Sequence, residues 1–370
     1  MAVYIHQLSN WPQFTWSQEQ ITPLLAEVRT RQARLLGRMD GLGFSLQAEA
    51  TLQILTLDVL KSSEIEGEHL DIDQVRSSIA RRLGMDIAGL IPADRKVEGI
   101  VEMMLDATQQ FRQPLLEERL YAWHAALFPT AYSGMYKIRV AQWRDNTKDD
   151  PMQVVSGPSG RETVHFQAPD ADRLQHEMEQ FIQWFNYDTT TDPVLKAALA
   201  HLWFVTIHPF DDGNGRIARA ITDLQLARAD GSPQRFYSMS AQIRKERRVY
   251  YNVLETTQKG SLDITTWLRW FLECLNRSLL ATDETLAVVL RKARFWEKHA
   301  ATTLNERQSI MLNKLLDGFD GKLNTSKWAT ITKTSADTAL RDIRDLMQKK
   351  ILVQEVGGGR STSYVLKELQ

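Results

Sequence analysis

A single cysteine, Cys274, stands in 370 residues. No intrachain disulfide and no thiolate metal cluster can be built from it, which suits a reducing compartment. Charge of one sign is scarce too: 45 Lys+Arg against 46 Asp+Glu leave a formal net charge of −1. Bulk attraction to nucleic acid or to a membrane is therefore not the driving force of function, though a local patch is still allowed. Apolar runs fall short of the ~18 residues that span a bilayer. The opening stretch MAVYIHQLSN lacks a basic segment followed by an apolar one, so no signal peptide is expected. The expectation is a cytoplasmic protein without membrane attachment. Repeats and low-complexity tracts are missing as well. What remains, 43% hydrophobic and 25% charged, is ordinary globular composition at a length that suggests two or three domains.

Helical periodicity dominates what is there. The N-terminal arm carries Tyr4, Trp11, Phe14 and Trp16, too aromatic for a disordered tail, and is expected to pack on the body or on a partner chain. SQEQ at 17–20 fits a capping box, and GLG at 41–43 ends the helix it opens. A second helix is expected over about 45–66, stopped by Gly67, with others near 72–83, 92–111 and 115–127. Between about 134 and 168 the pattern changes: MQVV, SGPSGR and TVHF read as two short strands around a turn. Asp192 and Pro193 give a strong helix start. The helix that follows is apolar almost all round, as a core helix is, and ends before Pro209. Another is expected from about Gly215 to Asp230. The last 70 residues read as three helices, a strand, a GGGR turn and a strand, the order of a winged helix. From 301 to 370 there are 11 Lys+Arg against 8 Asp+Glu, a weak excess for binding DNA.

The stretch HPFDDGNGRIAR, residues 208–219, concentrates chemistry. Gly213 and Gly215 let a ligand approach the backbone. The turn opens into a helix whose first amides are unpaired and carry partial positive charge, a cradle for phosphate. Arg216 and Arg219 are three apart, on one helical face, and guanidinium forks suit phosphate oxygens. Asp212 among these anion donors calls for a bridging cation, and Mg²⁺ fits. His208 can take a proton near neutral pH. Phe210 anchors the loop in the core.

This stretch is similar, position by position, to the motif HPFx(D/E)GNGRxxR of the Fic family of AMP-transferases. The resemblance implies a mainly α fold: a helical core with a β-hairpin flap, an N-terminal helical region and a C-terminal winged-helix domain. It implies that a Ser, Thr or Tyr hydroxyl of a target protein attacks the α-phosphate of ATP, so that AMP is transferred and pyrophosphate leaves. His208 is then the general base and Asp212 holds Mg²⁺. Gly213, Asn214 and Gly215 cradle the phosphates, Arg216 contacts the leaving phosphates and Arg219 places the γ-phosphate. Glycine at 215 favours AMP transfer, whereas the related phage toxin kinase has Lys there. The hairpin near 152–168 resembles the family's flap, along which a target backbone would lie, with Val155, Ser156 and Gly157 on the nucleotide side. RRVYYNVLETTQ resembles the adenine-side helix and brings in Tyr250 and Gln258, the latter where relatives often have Asn.

KSSEIEGEHL at 61–70 holds a second pattern. Glu66 ends a helix, where a carboxylate opposes the dipole by roughly 0.3–1 kcal/mol. At about 100° per residue it lies in line with Val59 and Leu52, whereas Glu64 and Glu68 point well away. SSEIEG resembles the family's inhibitory motif (S/T)xxxE(G/N) in its class II arrangement, with Ser62, Glu66 and Gly67. The resemblance implies that Glu66 pairs with Arg219 and shuts the γ-phosphate out. The division implied is 1–110 with the inhibitory helix at about 45–67, 111–290 as catalytic core, and 291–370 as winged-helix-like domain. A homodimer is a further expectation. Two other readings stay open: removal of AMP by the same site, with Glu66 orienting water, and a DNA-binding regulator acting through 301–370 with the Fic site as nucleotide sensor.

Overall fold

The computed structural model describes residues 3–367 except 86, 88, 158–160, 320 and 356–361. The GGGR turn and the centre of SGPSGR lie outside the described residues. The fold is mainly α. It divides into two compact units, Met1–Leu83 with Pro92–Thr282, and Gly84–Ile91 with Asp283–Gln370.

In the first unit, α1 (Gln18–Asp40) starts where Ser17 accepts the Gln20 N–H. Then come α2 (Phe44–Ile65), α3 (Ile72–Arg82), α4 (Arg95–Gln109) and α5 (Glu117–Leu127). The expected hairpin is present, and a second, short one precedes it. A short one pairs β1 (Tyr132–Ser133) with β2 (Tyr136–Lys137), and a longer one pairs β3 (Gln153–Ser156) with β4 (Thr163–Gln167) across a bulge between Val154 and Val155. Strands of two residues carry too little alternation to register in a sequence pattern.

Next follow α6 (Leu174–Tyr187), α7 (Pro193–Ile207), α8 (Asn214–Asp230), α9 (Met239–Lys245), α10 (Arg247–Gln258) and α11 (Thr265–Lys298), which ends in the second unit. Asp192 caps α7 by accepting the Val194 and Leu195 N–H groups. Every residue of α7 from Val194 to Ile207 is buried, as its all-round apolar surface requires. It packs along α8, while α2 lies against α9, α3, α4 and α8. The aromatic arm packs on the body: Tyr4 meets the Phe166 ring edge-on at 5.2 Å, and the Trp11 indole donates to Glu177 at 2.8 Å.

The second unit contains α12 (Glu306–Leu316), α13 (Thr325–Ile331), α14 (Ala336–Gln348) and the antiparallel pair β5 (Leu352–Gln354) and β6 (Tyr364–Leu366). Its own core gathers Met311, Leu312, Trp328, Ile343, Leu346 and Leu352.

Candidate active site

The site begins where α7 stops. Pro209 disfavours the α region for the residue before it, and His208 takes a left-handed conformation with φ 52°. That conformation is uncommon for a residue with a Cβ and needs support from its surroundings. Arg144 supplies it. Its Nε donates to the His208 carbonyl at 2.8 Å and its Nη2 to the carbonyls of Pro169 at 2.6 Å and Ile207 at 3.3 Å. Its own N–H donates to the Pro209 carbonyl at 2.9 Å. Burial pulls the guanidinium down to about 10.

His208 Nδ1 lies 3.1 Å from the Val205 carbonyl. A carbonyl only accepts, so Nδ1 carries the hydrogen and Nε2 keeps a free lone pair. Burial lowers the pKa to about 4, against a smaller opposing effect of the Val205 carbonyl. The ring is therefore neutral and able to accept a proton at neutral pH.

The loop after His208 is closed by its own side chains. Phe210 is fully buried and stacks on His124 at 4.2 Å. The Asn214 amide donates to the Phe210 carbonyl at 2.7 Å and accepts the Phe210 N–H at 3.0 Å. The Asn214 side chain is thus engaged in the loop, and its backbone N–H is what it can offer an anion. Gly213 has φ 83°, and a Cβ there would come within 2.9 Å of Phe128. A Cβ on Gly215 would collide with the Glu66 carboxylate and stand 3.3 Å from Arg219 Nη1. The first amides of α8 have no partner within the helix and face the same place.

Asp212 accepts from the Ser133 hydroxyl at 2.5 Å and from the Gly213 N–H at 2.6 Å. Its partly exposed carboxylate, 3.9 Å from Arg216 Nη2, lines the cavity. This is a hard oxygen donor of the kind Mg²⁺ prefers. One carboxylate suits an ion that takes most of its remaining ligands from water and substrate phosphates.

The cavity has a volume of about 530 Å³. Its walls bring together Glu66, Val155, Ser156, His208, Asp212 and the Gly213–Gly215 turn with Tyr250 and Gln258. Gly157, Ser62, Gly67, Arg216 and Arg219 are not wall residues among those described. Tyr250 presents its ring while its hydroxyl is bonded to His201 Nε2 at 2.8 Å in the core. Gln258 donates to Thr206 Oγ1 at 3.2 Å. The flap is tied to α10 through His165, which bridges Glu255 at 2.8 Å and Ser156 at 2.6 Å.

Arg219 lies behind Glu66 and is only 2% exposed. Nε donates to the Ser62 hydroxyl at 2.9 Å and Nη2 to the Ser62 carbonyl at 2.9 Å. Nη1 stands 2.8 Å from Glu66 Oε1, an ion pair whose N–H is poorly aimed at the oxygen. Burial, the largest single influence, would lower the Arg219 pKa, but Glu66, Tyr250 and Tyr251 together outweigh it and the net shift is upward. The other Glu66 oxygen accepts from the Tyr251 hydroxyl at 3.3 Å.

Glu68 corrects the helical-wheel expectation. It does not point away: its Oε2 accepts from Arg216 Nη1 at 2.8 Å. The wheel fails because α2 ends at Ile65. Gly67 is left-handed with φ 82°. The Gly67 N–H then reaches the Glu64 carbonyl at 3.1 Å and the Glu68 N–H reaches the Ser63 carbonyl at 3.0 Å. This is a Schellman turn, and it reverses the chain.

Two family models match the sequence. Residues 4–85 match a domain of unknown function (DUF4172), and residues 114–226 match the Fic/DOC family. Proteins named Protein adenylyltransferase Fic from Drosophila yakuba and Drosophila melanogaster are 36% identical over 104 residues, 28% of this chain. The match spans 19% of the first and 20% of the second. A Fic family protein from Desulfovibrio desulfuricans G20 shares the fold with a TM-score of 0.54 and 19% identity, over 97% of this chain and 99% of its own. A Fic domain containing signaling protein from Bacteroides thetaiotaomicron gives 0.50 and 21%, over 72% and 97%.

Within residues 114–226, sequence reasoning missed Arg144, His124, Ser133 and His165. Each acts through a partner distant in sequence. His124 Nδ1 accepts the Ala141 N–H at 3.3 Å, so its Nε2 donates to the Asp212 carbonyl at 3.1 Å. A histidine on α5, some 80 residues before the motif, gives no local sign of that contact.

Proposed function

We propose that this chain is a protein adenylyltransferase held off by its own N-terminal helix. The observation that carries this reading is Arg219, inside the matched Fic/DOC segment, held by Ser62 of α2 and by Glu66, the C-cap residue that follows it. The 36%-identical relatives, of which the match spans about a fifth, bear the name of that activity.

In this mechanism ATP lies with its phosphates along the N-terminus of α8. A hydroxyl of the target gives its proton to Nε2 of His208 and its oxygen bonds to the α-phosphorus. The bond from that phosphorus to the bridging oxygen breaks, and pyrophosphate leaves. Neutral His208 with a free Nε2 suits the base, and burial keeps it neutral. Asp212 would hold Mg²⁺, whose contribution is charge neutralisation at the phosphates. Asn214 and Gly215 contribute backbone N–H groups, Gly213 the left-handed turn that opens the approach to them, and Arg216 and Arg219 the cationic forks. Val155, Ser156 and Gly157 of the flap, with Tyr250 and Gln258 of α10, border the nucleoside end, and a target backbone pairs with the flap edge by strand addition. In this reading Glu66 occupies the charge that the γ-phosphate needs. The 111–290 region is the catalytic core, 1–110 carries the inhibitory helix, and 291–370 is a winged-helix-like module.

The test is mass spectrometry of Glu66→Gly protein incubated with ATP in host lysate. Peptides carrying AMP on a hydroxyl, absent with Glu66→Gly/His208→Ala, are expected. A lysate with no AMP-bearing peptide, on itself or any other protein, would refute the assignment.

A further inference from the structure

Both motif arginines, and not only Arg219, are held by carboxylates from one turn. Glu66 and Glu68 flank Gly67, and the left-handed glycine sends them to positions three residues apart on α8: Glu66 to Arg219 at 2.8 Å and Glu68 to Arg216 at 2.8 Å. Arg216 is 3% exposed in its side chain. Its face rests on the Phe128 ring at 5.0 Å, and its buried Nε–H has no hydrogen-bond partner among the described residues. The guanidinium is short of acceptors and still carries a carboxylate where an anion would otherwise sit. Glu68 is kept in place by Lys96, whose Nζ is 3.1 Å from Oε1. It is also kept in place by its own N–H to the Ser63 carbonyl.

We propose that Glu68 is a second brake, acting on a different part of the nucleotide from Glu66. This rests on the reading of the site as one for ATP. Arg216 is in the first turn of α8, beside the amide cradle, and Arg219 is three residues on, about 4.5 Å further along the axis. A polyphosphate extending from the cradle meets Arg216 first and Arg219 at its far end. Glu68 therefore competes with the middle phosphate, which ADP and ATP share. Glu66 competes with the terminal one, which only ATP has. The two carboxylates set how the site discriminates between mono-, di- and triphosphates.

Titration calorimetry of the full chain in a His208→Ala background, with AMP, ADP and ATP in the presence of Mg²⁺, separates the two effects. Glu68→Gln is expected to tighten ADP and ATP alike by about two- to fivefold, the range of one partly exposed ion pair, and to leave AMP unchanged. Glu66→Gly is expected to tighten ATP alone. Glu68→Ala repeats the pattern of Glu68→Gln if loss of the charge, and not a new amide contact, is the cause. ADP binding that is unchanged or weaker in both Glu68 variants, while Glu66→Gly still tightens ATP, overturns the second brake and leaves the adenylyltransferase reading standing. No ATP binding in any variant overturns both.

Discussion

Removing Glu66 should make the protein less stable and, at the same time, more responsive to ATP. Arg219 is 2% exposed and its carboxylate partner 30%. Deleting one partner of a fully buried pair costs about 3–5 kcal/mol, because the remaining charge is stranded. Here the cost is smaller. The carboxylate is partly solvated, its contact with Nη1 is poorly aligned, and both bonds from Arg219 to Ser62 remain. We expect about 2 kcal/mol for Glu66→Gly, or roughly 4 °C in Tm for a unit of this size. A nucleotide phosphate would then supply the missing anion. At a ligand concentration of about 100 Kd it returns about 2.7 kcal/mol, against about 0.4 kcal/mol where wild type is only half saturated. Differential scanning fluorimetry with and without Mg-ATP reads both effects. Wild type should melt higher without nucleotide and shift little, and Glu66→Gly should melt lower and shift by several degrees. Equal melting temperatures without nucleotide together with equal ATP shifts would refute the idea that Glu66 satisfies a buried arginine in place of phosphate.

Other consequences follow from the surroundings of the motif. His208 is lowered to about 4 by burial, so transfer by Glu66→Gly should be level from pH 8 to about 5.5 and decline only further into acid; a midpoint near 6.5 would contradict the buried, neutral base. His124 and His201 are lowered by burial to about 4 and about 3. Between those values and 6.5 the unfolded chain binds more protons than the folded one, so stability is complete above pH 6.5 and falls as pH drops through that window. The loss should be about 1–2 kcal/mol per histidine at pH 5, read from urea melts at pH 7 and pH 5. Arg144→Ala removes three side-chain bonds to carbonyls around His208 and should cost about 2–4 kcal/mol in urea melts. It should also lower kcat more than it raises the KM for ATP; unchanged stability and kcat would deny Arg144 its bracing role.

Much of the site was legible because its signals are local. The glycines at 213 and 215, the proline at 209 and the three-residue spacing of Arg216 and Arg219 each state a backbone or helical requirement within twelve residues. Asp192–Pro193 and the apolar α7 were equally plain, and the long hairpin was visible from MQVV and TVHF on either side of a Gly/Pro/Ser turn. Glu68 was misread because a helical wheel assumes that the helix continues, whereas Gly67 ends it and turns the chain back. The same glycine was read as a stop signal, but a stop does not say where the next side chain goes. Tyr250, expected beside the nucleotide, lines the cavity while its hydroxyl is bonded to His201 in the core. Arg144, Ser133 and His165 were invisible because their partners are the backbone or side chains of residues brought near only by folding.

The central claim is that the Fic domain transfers AMP and that Glu66 restrains it. Side-by-side labelling with α-labelled and γ-labelled ATP tests it most directly, using wild type, Glu66→Gly and Glu66→Gly/His208→Ala. Label on protein from α-labelled ATP alone, faint in wild type, strong in Glu66→Gly and lost in the double variant, is the predicted result. Label from γ-labelled ATP, label that persists without His208, or equal label in wild type and Glu66→Gly would contradict it.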